Sequence, residues 1–528
     1  MKFSNFRIAA SQLVGTLTVN VIKFTTGNLQ GFTTIFIGEL SKDSPEISVS
    51  TDELTWYAQT AKIRKSRLFE TKVVLICTVR LAHERSECDK QGAIKDYFSS
   101  YFFMLPVGSL LGGFLAQRIG SRIMFMFSSI TFILAWLLYY WAKHSDMILV
   151  AQALSGLAIG LLKGPGLTFV AEISQTNLRS IFMTSCAVSY FFGQFFPILL
   201  KQFLYWRTIV LINLVFPVIG LLMCFFIPNS PYWLASKNRF DDARNSLAWY
   251  RGWATPNDIK SELQILESSW NVSFDFSTNT SDAENVENSK MTNRLKNVLK
   301  SYLNRRFYIP LATSCFVFFV SALGGTYSVQ VFSELLFKKI KSPISSSTTT
   351  VILYAIRLVG SLSVFCTIRF TGKRKLLFAS VIGCGISFAT AAIFNYLIDS
   401  NHLVSREYFW IPTISIVLAV FMSAAGIEKI MYFINSEIFP LSHRLIGAGF
   451  GETFYNLITS VLNKIFLYLI DYLTVSGIFT LFAATNIIGF ITFYFVLPET
   501  EGKSLNEIEE HYDAGKRNIE NKQKMSKI

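Results

Sequence analysis

The feature that most constrains this chain of 528 residues is a series of long, nearly uncharged apolar windows, about a dozen in number. A helix needs roughly 20 mostly apolar residues to cross about 30 Å of hydrocarbon, because each residue rises about 1.5 Å. Backbone amides find no water in that layer, so such windows must be helical. Only 16% of the residues are charged, against about a quarter in soluble domains. The composition therefore predicts an all-α membrane protein.

Twelve spans are predicted, with a polar stretch in the middle of the chain. They lie at 10–38, 99–117, 122–142, 147–168, 180–201, 206–227, 307–332, 349–368, 375–397, 408–433, 445–470 and 476–497. The polar stretch, 228–306, has charged helical patterns and a Ser/Asn/Thr-rich linker, which indicates a cytoplasmic loop with partial helix. The first half is predicted to comprise the N-terminus with the first span (1–58), an atypical segment (59–98) and the rest of the first bundle (99–227). The second half comprises the loop (228–306), the second bundle (307–497) and a cytoplasmic tail (498–528).

The net charge of +14 has a membrane explanation. Its basic residues form short clusters between apolar spans, as the positive-inside rule expects of cytoplasmic loops. We therefore expect a lipid bilayer and no nucleic acid as partner. The cysteine and histidine spacings suggest neither a metal nor a disulfide framework, and no nucleophile–base arrangement is visible. We expect no cofactor and no enzymatic activity.

Three short motifs occur in both halves of the chain in the same order. The pairs are Arg118 to Arg122 with Phe370 to Arg374, Glu172 to Arg179 with Glu437 to Arg444, and Pro228 to Pro231 with Pro498 to Thr500. Each follows the corresponding span of its half. Duplicated halves are typical of transporters that rock around a central site. All six motifs share one side of the membrane, which the basic residues predict to be the cytoplasmic side together with both termini.

The segment 59–98 does not fit this pattern. It would lie outside the membrane opposite the cytoplasm, yet it is rich in Lys and Arg. Its removal joins Ala58 to Ser99 and leaves one smooth second span. Two interpretations stay open, a long extracellular insertion or translated non-coding sequence, and under both we expect the segment to be dispensable.

These motifs resemble the sugar-porter family of the major facilitator superfamily, and within it the insect facilitated trehalose and glucose transporters. The matching residues are Gly27, Gly31, Phe32, Trp56, Gly108 to Arg122, Gly156, Gly160, Ala171 to Ser174, Leu178, Arg179, Pro228 to Leu234, Gly372 to Arg374, Ser436 to Pro440, Lys464 and Pro498 to Ser504. The resemblance covers nearly the whole chain apart from 59–98. It implies two pseudo-symmetric six-helix bundles, with the substrate path between them and alternating access.

The resemblance also implies a charged cytoplasmic gate that bridges the bundles. Its candidate residues are Arg122, Glu172, Arg179, Arg374, Glu437, Arg444 and Glu499. We expect the pairs Glu172/Arg179 and Glu437/Arg444 to hold it closed. The family has an acid at the positions of Gln117, Asn229 and Arg369, and an arginine at the position of Gln152. Part of the charged network is therefore missing here.

The expected substrate cavity departs further from the family. Its candidate residues are Ser321, Gly325, Tyr327, Arg357, Glu428, Tyr432 and Asn456. Ser321 and Ala322 replace the two seventh-span glutamines with which the family binds sugar hydroxyls. Unpaired buried polar groups are costly, so a site without those amides argues against tight binding of an ordinary hexose.

New charges stand inside the predicted spans instead, at Arg357, Glu428, Lys429 and Glu452. An ionisable side chain at that depth is a functional candidate, since it costs several kcal/mol unless paired or hydrated. Arg357 and Glu428 lie roughly 18 Å and 14 Å from the cytoplasmic ends of their helices, at about 1.5 Å per residue. We therefore predict that they form an ion pair.

The function that the sequence favours is transport of a sugar or related small polar solute. Proton-coupled members of the family that it resembles carry an aspartate in the first span, and none lies near Gly27. The resemblance therefore favours facilitated diffusion, while Glu428 keeps proton coupling open. An integral protein, of the plasma membrane or an internal membrane, is expected. Two alternatives stay open. One is a carrier for an organic ion that binds at Arg357 or Lys429. The other is a non-transporting sensor or degenerate paralogue.

Overall fold

The computed structural model describes residues 2–40, 84–255, 259, 262–264, 305–340, 342–400, 406–440, 443–497, 499–503 and 507–508. Within these ranges the chain forms helices joined by turns, with no strand. Nine described helices are long and apolar enough to cross a membrane, by length and composition. They correspond to predicted spans 2 to 6, 8, 9, 10 and 12. Spans 1, 7 and 11 are also helical, which completes the predicted twelve.

The first half of the chain forms a six-helix bundle. Its helices are α1 Lys2–Leu40, α2 Glu84–Ile119, α3 Ser121–Trp141, α4 Ser145–Ile173, α5 Thr176–Leu200 and α6 Trp206–Cys224, followed by α7 Pro231–Ala235 and α8 Phe240–Tyr250. The helix α1 packs on α5, and α2 packs on α4. Buried aromatic side chains such as Phe32, Phe132 and Trp136 fill the bundle core.

The second half forms a bundle with the same succession of helices. These are α9 Arg305–Leu323, α10 Thr326–Val331, α11 Ser333–Lys339, α12 Ser346–Thr371, α13 Lys373–Asp399, α14 Trp410–Ala424, α15 Ile427–Glu437 and α16 Arg444–Val496. A non-helical residue, Thr474 at φ 62°, divides α16 into spans 11 and 12. The helix α13 packs on α14 and on α16.

Two glycine turns show the duplication in the backbone. Gly120 between α2 and α3 has φ 91° and ψ 153°, and Gly372 between α12 and α13 has φ 75° and ψ 163°. This combination is open almost only to glycine. A Cβ on Gly120 would lie 3.2 Å from Asn229 Oδ1, and one on Gly372 would lie 2.9 Å from Glu499 Oε2. The motifs after spans 6 and 12 thus cover equivalent turns in the two halves.

Two predicted spans are interrupted helices. Span 7 breaks at Gly325, whose φ of 81° ends the helical path, and span 10 breaks at Ala425 and Gly426. Other spans run further than predicted, so that Glu172 and Glu437 belong to the last turns of α4 and α15. Interruptions at membrane depth are tolerated where the backbone is covered by protein or lines a cavity.

The polar stretches are described in part. Phe240–Tyr250 is a helix, as the charged pattern from Asp241 predicts. Residues 84–98 form the first turns of α2, whereas 59–83 lie outside the described residues. The dispensability of 59–98 therefore stays a prediction.

The two bundles meet closely where α2 crosses α16. A Cβ added to Gly449 would lie 2.9 Å from the Cα of Gly113, and one added to Gly113 would lie 2.8 Å from the carbonyl oxygen of Leu445. Even alanine would not fit without a shift of backbone. Small residues of this kind let membrane helices approach backbone to backbone.

The glycine turn at Gly372 gives a stability prediction. Gly372→Ala should lower the free energy of unfolding by about 1–3 kcal/mol, because alanine is strained at this φ and ψ and its Cβ would press on Glu499. Thermal unfolding of the detergent-solubilised protein measures the effect. Gly502→Ala is the matched control, since Gly502 has φ 76° but nothing within 4 Å of an added Cβ. An equal loss in both variants would show that the contact with Glu499 has no effect.

Candidate functional site

A cavity lies between the two bundles and is lined by residues of both. Its wall is mainly aromatic and apolar, with one amide, Gln30, and three charged residues, Lys163, Arg357 and Glu428. Its aromatic residues include Tyr190, Phe191, Tyr327, Tyr432 and Tyr455. A second cavity shares Gln30, Tyr101 and Tyr327 with it. Apolar and aromatic walls with few convergent polar groups are typical of small-solute binding.

The buried ion pair predicted between spans 8 and 10 is confirmed. Arg357 Nη2 lies 2.8 Å and Nε 3.1 Å from Glu428 Oε2, and both side chains are buried. The other carboxylate oxygen, Oε1, accepts hydrogen bonds from Gln330 at 2.8 Å and Ser423 at 3.1 Å. The guanidinium also lies over the ring of Phe191, 4.5 Å from its centroid. The charges are therefore matched and hydrogen-bonded, as burial requires.

A chain of hydrogen bonds connects this pair with the first bundle. Arg357 donates to Gln194 of α5, and Gln194 donates to the Tyr190 hydroxyl at 2.9 Å. Tyr190 donates to Gln30 of α1, which in turn donates to the Tyr327 hydroxyl of α10 at 2.7 Å. The chain crosses between the bundles twice, at Arg357–Gln194 and at Gln30–Tyr327.

The sequence analysis missed the three glutamines of this network, Gln30, Gln194 and Gln330. The signal was present, since each is an amide inside an apolar span. They lie at other positions than the family glutamines, so alignment to family motifs passes over them.

A second charged cluster lines the opposite wall, around Lys163 of α4. Lys163 Nζ donates to Asn456 Oδ1 at 2.6 Å and lies 3.9 Å from Glu452 Oε2. It also lies 5.3 Å from the ring centroid of Tyr455 and 5.9 Å from that of Tyr432. The sequence analysis named Glu452, Asn456 and Tyr432 but not Lys163, a single lysine before Gly164 and Pro165.

Lys429, the remaining predicted charge, does not face the cavity wall. Its ammonium donates to the carbonyl of Ala424 at the break in span 10 and lies 5.2 Å from the ring centroid of Phe191. Lys429 is adjacent to Glu428 but points in another direction, as expected of neighbours on a helix.

Three predicted cavity residues, Ser321, Gly325 and Asn456, are not among the described residues that line these two cavities, although Asn456 bonds to Lys163 of the wall. Gly325 packs against span 12, where an added Cβ would lie 2.3 Å from the ring of Phe482. The helix ends there, so the helical spacing does not carry Ser321 onto the face that bears Tyr327. The placement of Ser321 and Gly325 in a substrate cavity stays a prediction, made for one continuous seventh span.

The charged residues of the repeated motifs form a cluster at the ends of α4, α12 and α15, which we call the motif side. Glu172 of the first bundle lies 3.9 Å from Arg444 Nη1 of the second, and both are buried. Glu172 also accepts a hydrogen bond from Ser230 at 2.5 Å, and Arg444 Nε donates to the Phe439 carbonyl at 3.1 Å. The ion pair therefore joins the two bundles.

The predicted pairs Glu172/Arg179 and Glu437/Arg444 do not form in this structure, because each of the four residues contacts another partner. Glu437 binds Lys373 at 2.7 Å, while Arg179 donates to the carbonyl of Lys503 at 3.2 Å. In each motif the acid ends one helix and the arginine lies in or beside the first turn of the next, so the turn between them separates the two side chains.

The other candidates of the motif side have different contacts. Glu499 accepts from the backbone N–H of Arg374 at 3.1 Å. Arg122 donates to the carbonyls of Cys224 at 2.9 Å and Phe225 at 3.0 Å, within its own bundle. Glu501, which the sequence analysis did not single out, accepts from Ser180 at 2.6 Å and lies 3.4 Å from Lys373.

Two six-helix bundles with a cavity between them and a charged cluster at one end define a duplicated helical membrane protein. The family profile described as "Sugar (and other) transporter" matches residues 78–512, and the chain belongs to this family. The family resemblance predicted from the motifs is thereby confirmed.

Known relatives and a solved structure agree with this assignment. The facilitated trehalose transporter Tret1 of Anopheles gambiae is 27% identical over 402 residues, which are 76% of this chain and 48% of that protein. Tret1 of Culex quinquefasciatus is 28% identical over 404 residues, 76% of this chain and 74% of that protein. The chain thus matches about half the length of the Anopheles relative.

The structural likeness concerns the fold alone. The proton:xylose symporter XylE of the major facilitator superfamily, bound to 6-bromo-6-deoxy-D-glucose, matches with a TM-score of 0.70 at 14% identity. The match covers 96% of this chain and 100% of that one. The predicted major facilitator fold is therefore confirmed.

The ion pair between Arg357 and Glu428 gives a second prediction. Arg357→Leu should destabilise the protein by about 3–5 kcal/mol, because Glu428 is left as an uncompensated buried charge. The double variant with Glu428→Leu should recover much of that loss. Thermal unfolding in detergent measures the wild type, the two single variants and the double variant. Simple additivity of the two single changes would contradict an energetic coupling.

Proposed function

We propose that the protein carries a sugar or related small polar solute across a membrane by alternating access, as facilitated diffusion. The observation that supports this most directly is the cavity between the bundles. Its hydroxyl and amide groups, from Tyr190, Tyr327 and Gln30, can both donate and accept hydrogen bonds. Polyhydroxy solutes require this mixture, and the aromatic faces of Tyr432 and Tyr455 offer apolar contact beside it.

The amides of the cavity alter one expectation of the sequence analysis. Loss of the family glutamines argued against tight hexose binding, yet Gln30, Gln194 and Gln330 supply amides from different helices. Because these amides now bond to one another through Tyr190, Arg357 and Glu428, a solute must exchange hydrogen bonds with the network. We infer that binding and the state of the bundles are coupled at this point.

On the motif side we propose a gate of cross-bundle contacts. The contacts are Glu172–Arg444, Arg179 to the Lys503 carbonyl, and Ser180–Glu501. All three join the first bundle to the second or to the segment after it, so they must break before the path can open on this side. Arg374, Glu437 and Glu499 would act from within the second bundle, and Arg122 from within the first, by holding the turns in place.

Loss of the gate contact should slow transport. Arg444→Ala should reduce solute uptake into proteoliposomes by about ten-fold, because the closed state loses its cross-bundle ion pair; a ten-fold change corresponds to about 1.4 kcal/mol. Size-exclusion chromatography reports the folded fraction, which should change little. Arg239→Ala is the control, since Arg239 pairs with Asp242 on an exposed helix. Normal uptake by Arg444→Ala would show that the Glu172–Arg444 pair is a structural contact without a role in the gate. Absence of uptake of any sugar by the wild type would favour the alternative of a non-transporting sensor.

We propose that the motif side is cytoplasmic, with both termini there and the protein in the plasma membrane. The basic clusters next to the repeated motifs support this orientation. The sequons at Asn271 and Asn279 belong to the same predicted loop and lie outside the described residues.

The orientation predicts that Asn271 and Asn279 stay unglycosylated in cells, since glycosylation occurs on the other side of the membrane. Glycosidase treatment should leave the electrophoretic mobility of the wild type unchanged. Ser48→Asn creates an Asn-Val-Ser sequon between the first two spans and serves as the positive control, which should shift. A glycosidase-sensitive shift of the wild type that Asn271→Gln abolishes would reverse the orientation.

A further inference from the structure

The charges around the cavity are not balanced among the described residues. Four basic residues, Lys23, Lys163, Arg357 and Lys429, stand inside the spans beside it, against two acids, Glu428 and Glu452. Arg357 is matched by Glu428, and Lys429 lies against the carbonyl end of α14. The excess of positive charge therefore concentrates at Lys163 and Lys23.

Lys163 lines the cavity and donates to the neutral Asn456 Oδ1 at 2.6 Å, but among the described residues no anion lies at hydrogen-bond distance from it. Its side chain is 16% exposed, and its only anionic neighbour within 4 Å among the described residues is Glu452 Oε2, at 3.9 Å. That oxygen is buried and accepts no hydrogen bond from any described residue. The lysine and the carboxylate thus approach each other without forming the short bond that a buried pair requires.

Lys23 of α1 places a second amino group close to Lys163. It packs beside Gly166, where an added Cβ would lie 3.3 Å from Lys23 Nζ, within one turn of Lys163 on α4. Two lysines therefore lie within one turn of α4 beside the cavity, and Glu452 is the one acid within 4 Å of Lys163 among the described residues.

An unmatched cation at this depth is costly, and an anion from outside would offset that cost. We propose that the transported solute carries an anionic group, a carboxylate or a phosphate, which lies against Lys163 with Lys23 behind it. The sugar-like part of the solute then contacts Tyr432 and Tyr455 beside Lys163. This inference rests on the proposed transport function and narrows its substrate class to acidic sugar derivatives.

Ligand binding tests the inference without requiring transport. Glucose, glucuronate and glucose 6-phosphate are titrated against the full-length protein in detergent, with the shift in unfolding temperature as readout. At least one of the two acidic probes should bind about ten-fold more tightly than glucose, because a hydrogen bond to a charged group outweighs a neutral one by that factor. Whichever of glucuronate and glucose 6-phosphate binds more tightly shows whether the site prefers a carboxylate or a phosphate.

Substitutions of the two lysines test whether these residues cause the preference for the acidic probe. Lys163→Gln and Lys23→Gln should each bring the acidic probe to within about three-fold of glucose, since a neutral amide removes the charge and keeps hydrogen bonding. Lys464→Gln, an exposed position on the helix that bears Glu452, should keep the wild-type preference. Equal binding of glucose and both acidic probes by the wild type, or a preference that survives both cavity variants, would overturn the inference.

Uptake by proteoliposomes separates this inference from the proposed function. Faster uptake of an acidic probe than of glucose, with a dependence on imposed membrane potential, supports both. Uptake of glucose alone leaves the transport function standing and overturns the anionic class. Absence of uptake for every probe contradicts the transport function, while the binding titration still decides whether Lys163 and Lys23 recognise an anion.

Discussion

The cost of burying charge within the membrane is the constraint on which the arrangement of this protein depends. Arg357 and Glu428 meet it by pairing at 2.8 Å and by bonding to amides and a hydroxyl. The break in span 10 contributes, because it places Glu428 in the first turn of α15. There the unpaired backbone N–H groups and the helix dipole favour a carboxylate. One interruption of the helix thus stabilises a charge that a continuous span would have to expose.

The same constraint explains why the network extends across both bundles. Arg357 has more donors than one carboxylate can accept, and Gln194 of α5 takes one of them. Gln194, Tyr190 and Gln30 then satisfy one another in turn. The polar groups of the cavity are therefore occupied before any solute arrives. Specificity follows from which of these bonds a solute can replace without leaving a buried donor unpaired.

The sequence predicted how deep a residue lies in the membrane, but not which neighbouring helix its side chain faces. Apolar length fixed the spans, and the distances of Arg357 and Glu428 from their motifs were enough to predict the pair. Which acid meets which arginine on the motif side depends on how the bundles face each other. The contact between Arg444 and Glu172 therefore could not be read from spacing. The break at Gly325 likewise removed Ser321 from the predicted face, since helical periodicity holds only within an unbroken helix.

Lys163 and the three glutamines show a different limit. They were visible as polar residues in apolar spans, but comparison with family positions drew attention elsewhere. Their importance follows from contacts between distant segments, such as Lys163 with Asn456 and Gln30 with Tyr327. A rule based on membrane depth alone would have selected them, because any buried polar group must find a partner.

The contact between Gly113 and Gly449 has a mechanical consequence. Where two helices touch through backbone alone, no side chains interlock across the crossing. One helix can then rotate against the other without any change of side-chain rotamer, so this contact does not oppose movement of the bundles. Resistance to movement of the bundles would come from the charged contacts at the motif side and the hydrogen bonds at the cavity. The glycine contact in the middle of the interface would set the axis of rotation. The charged contacts and the cavity hydrogen bonds would set the rate of rotation.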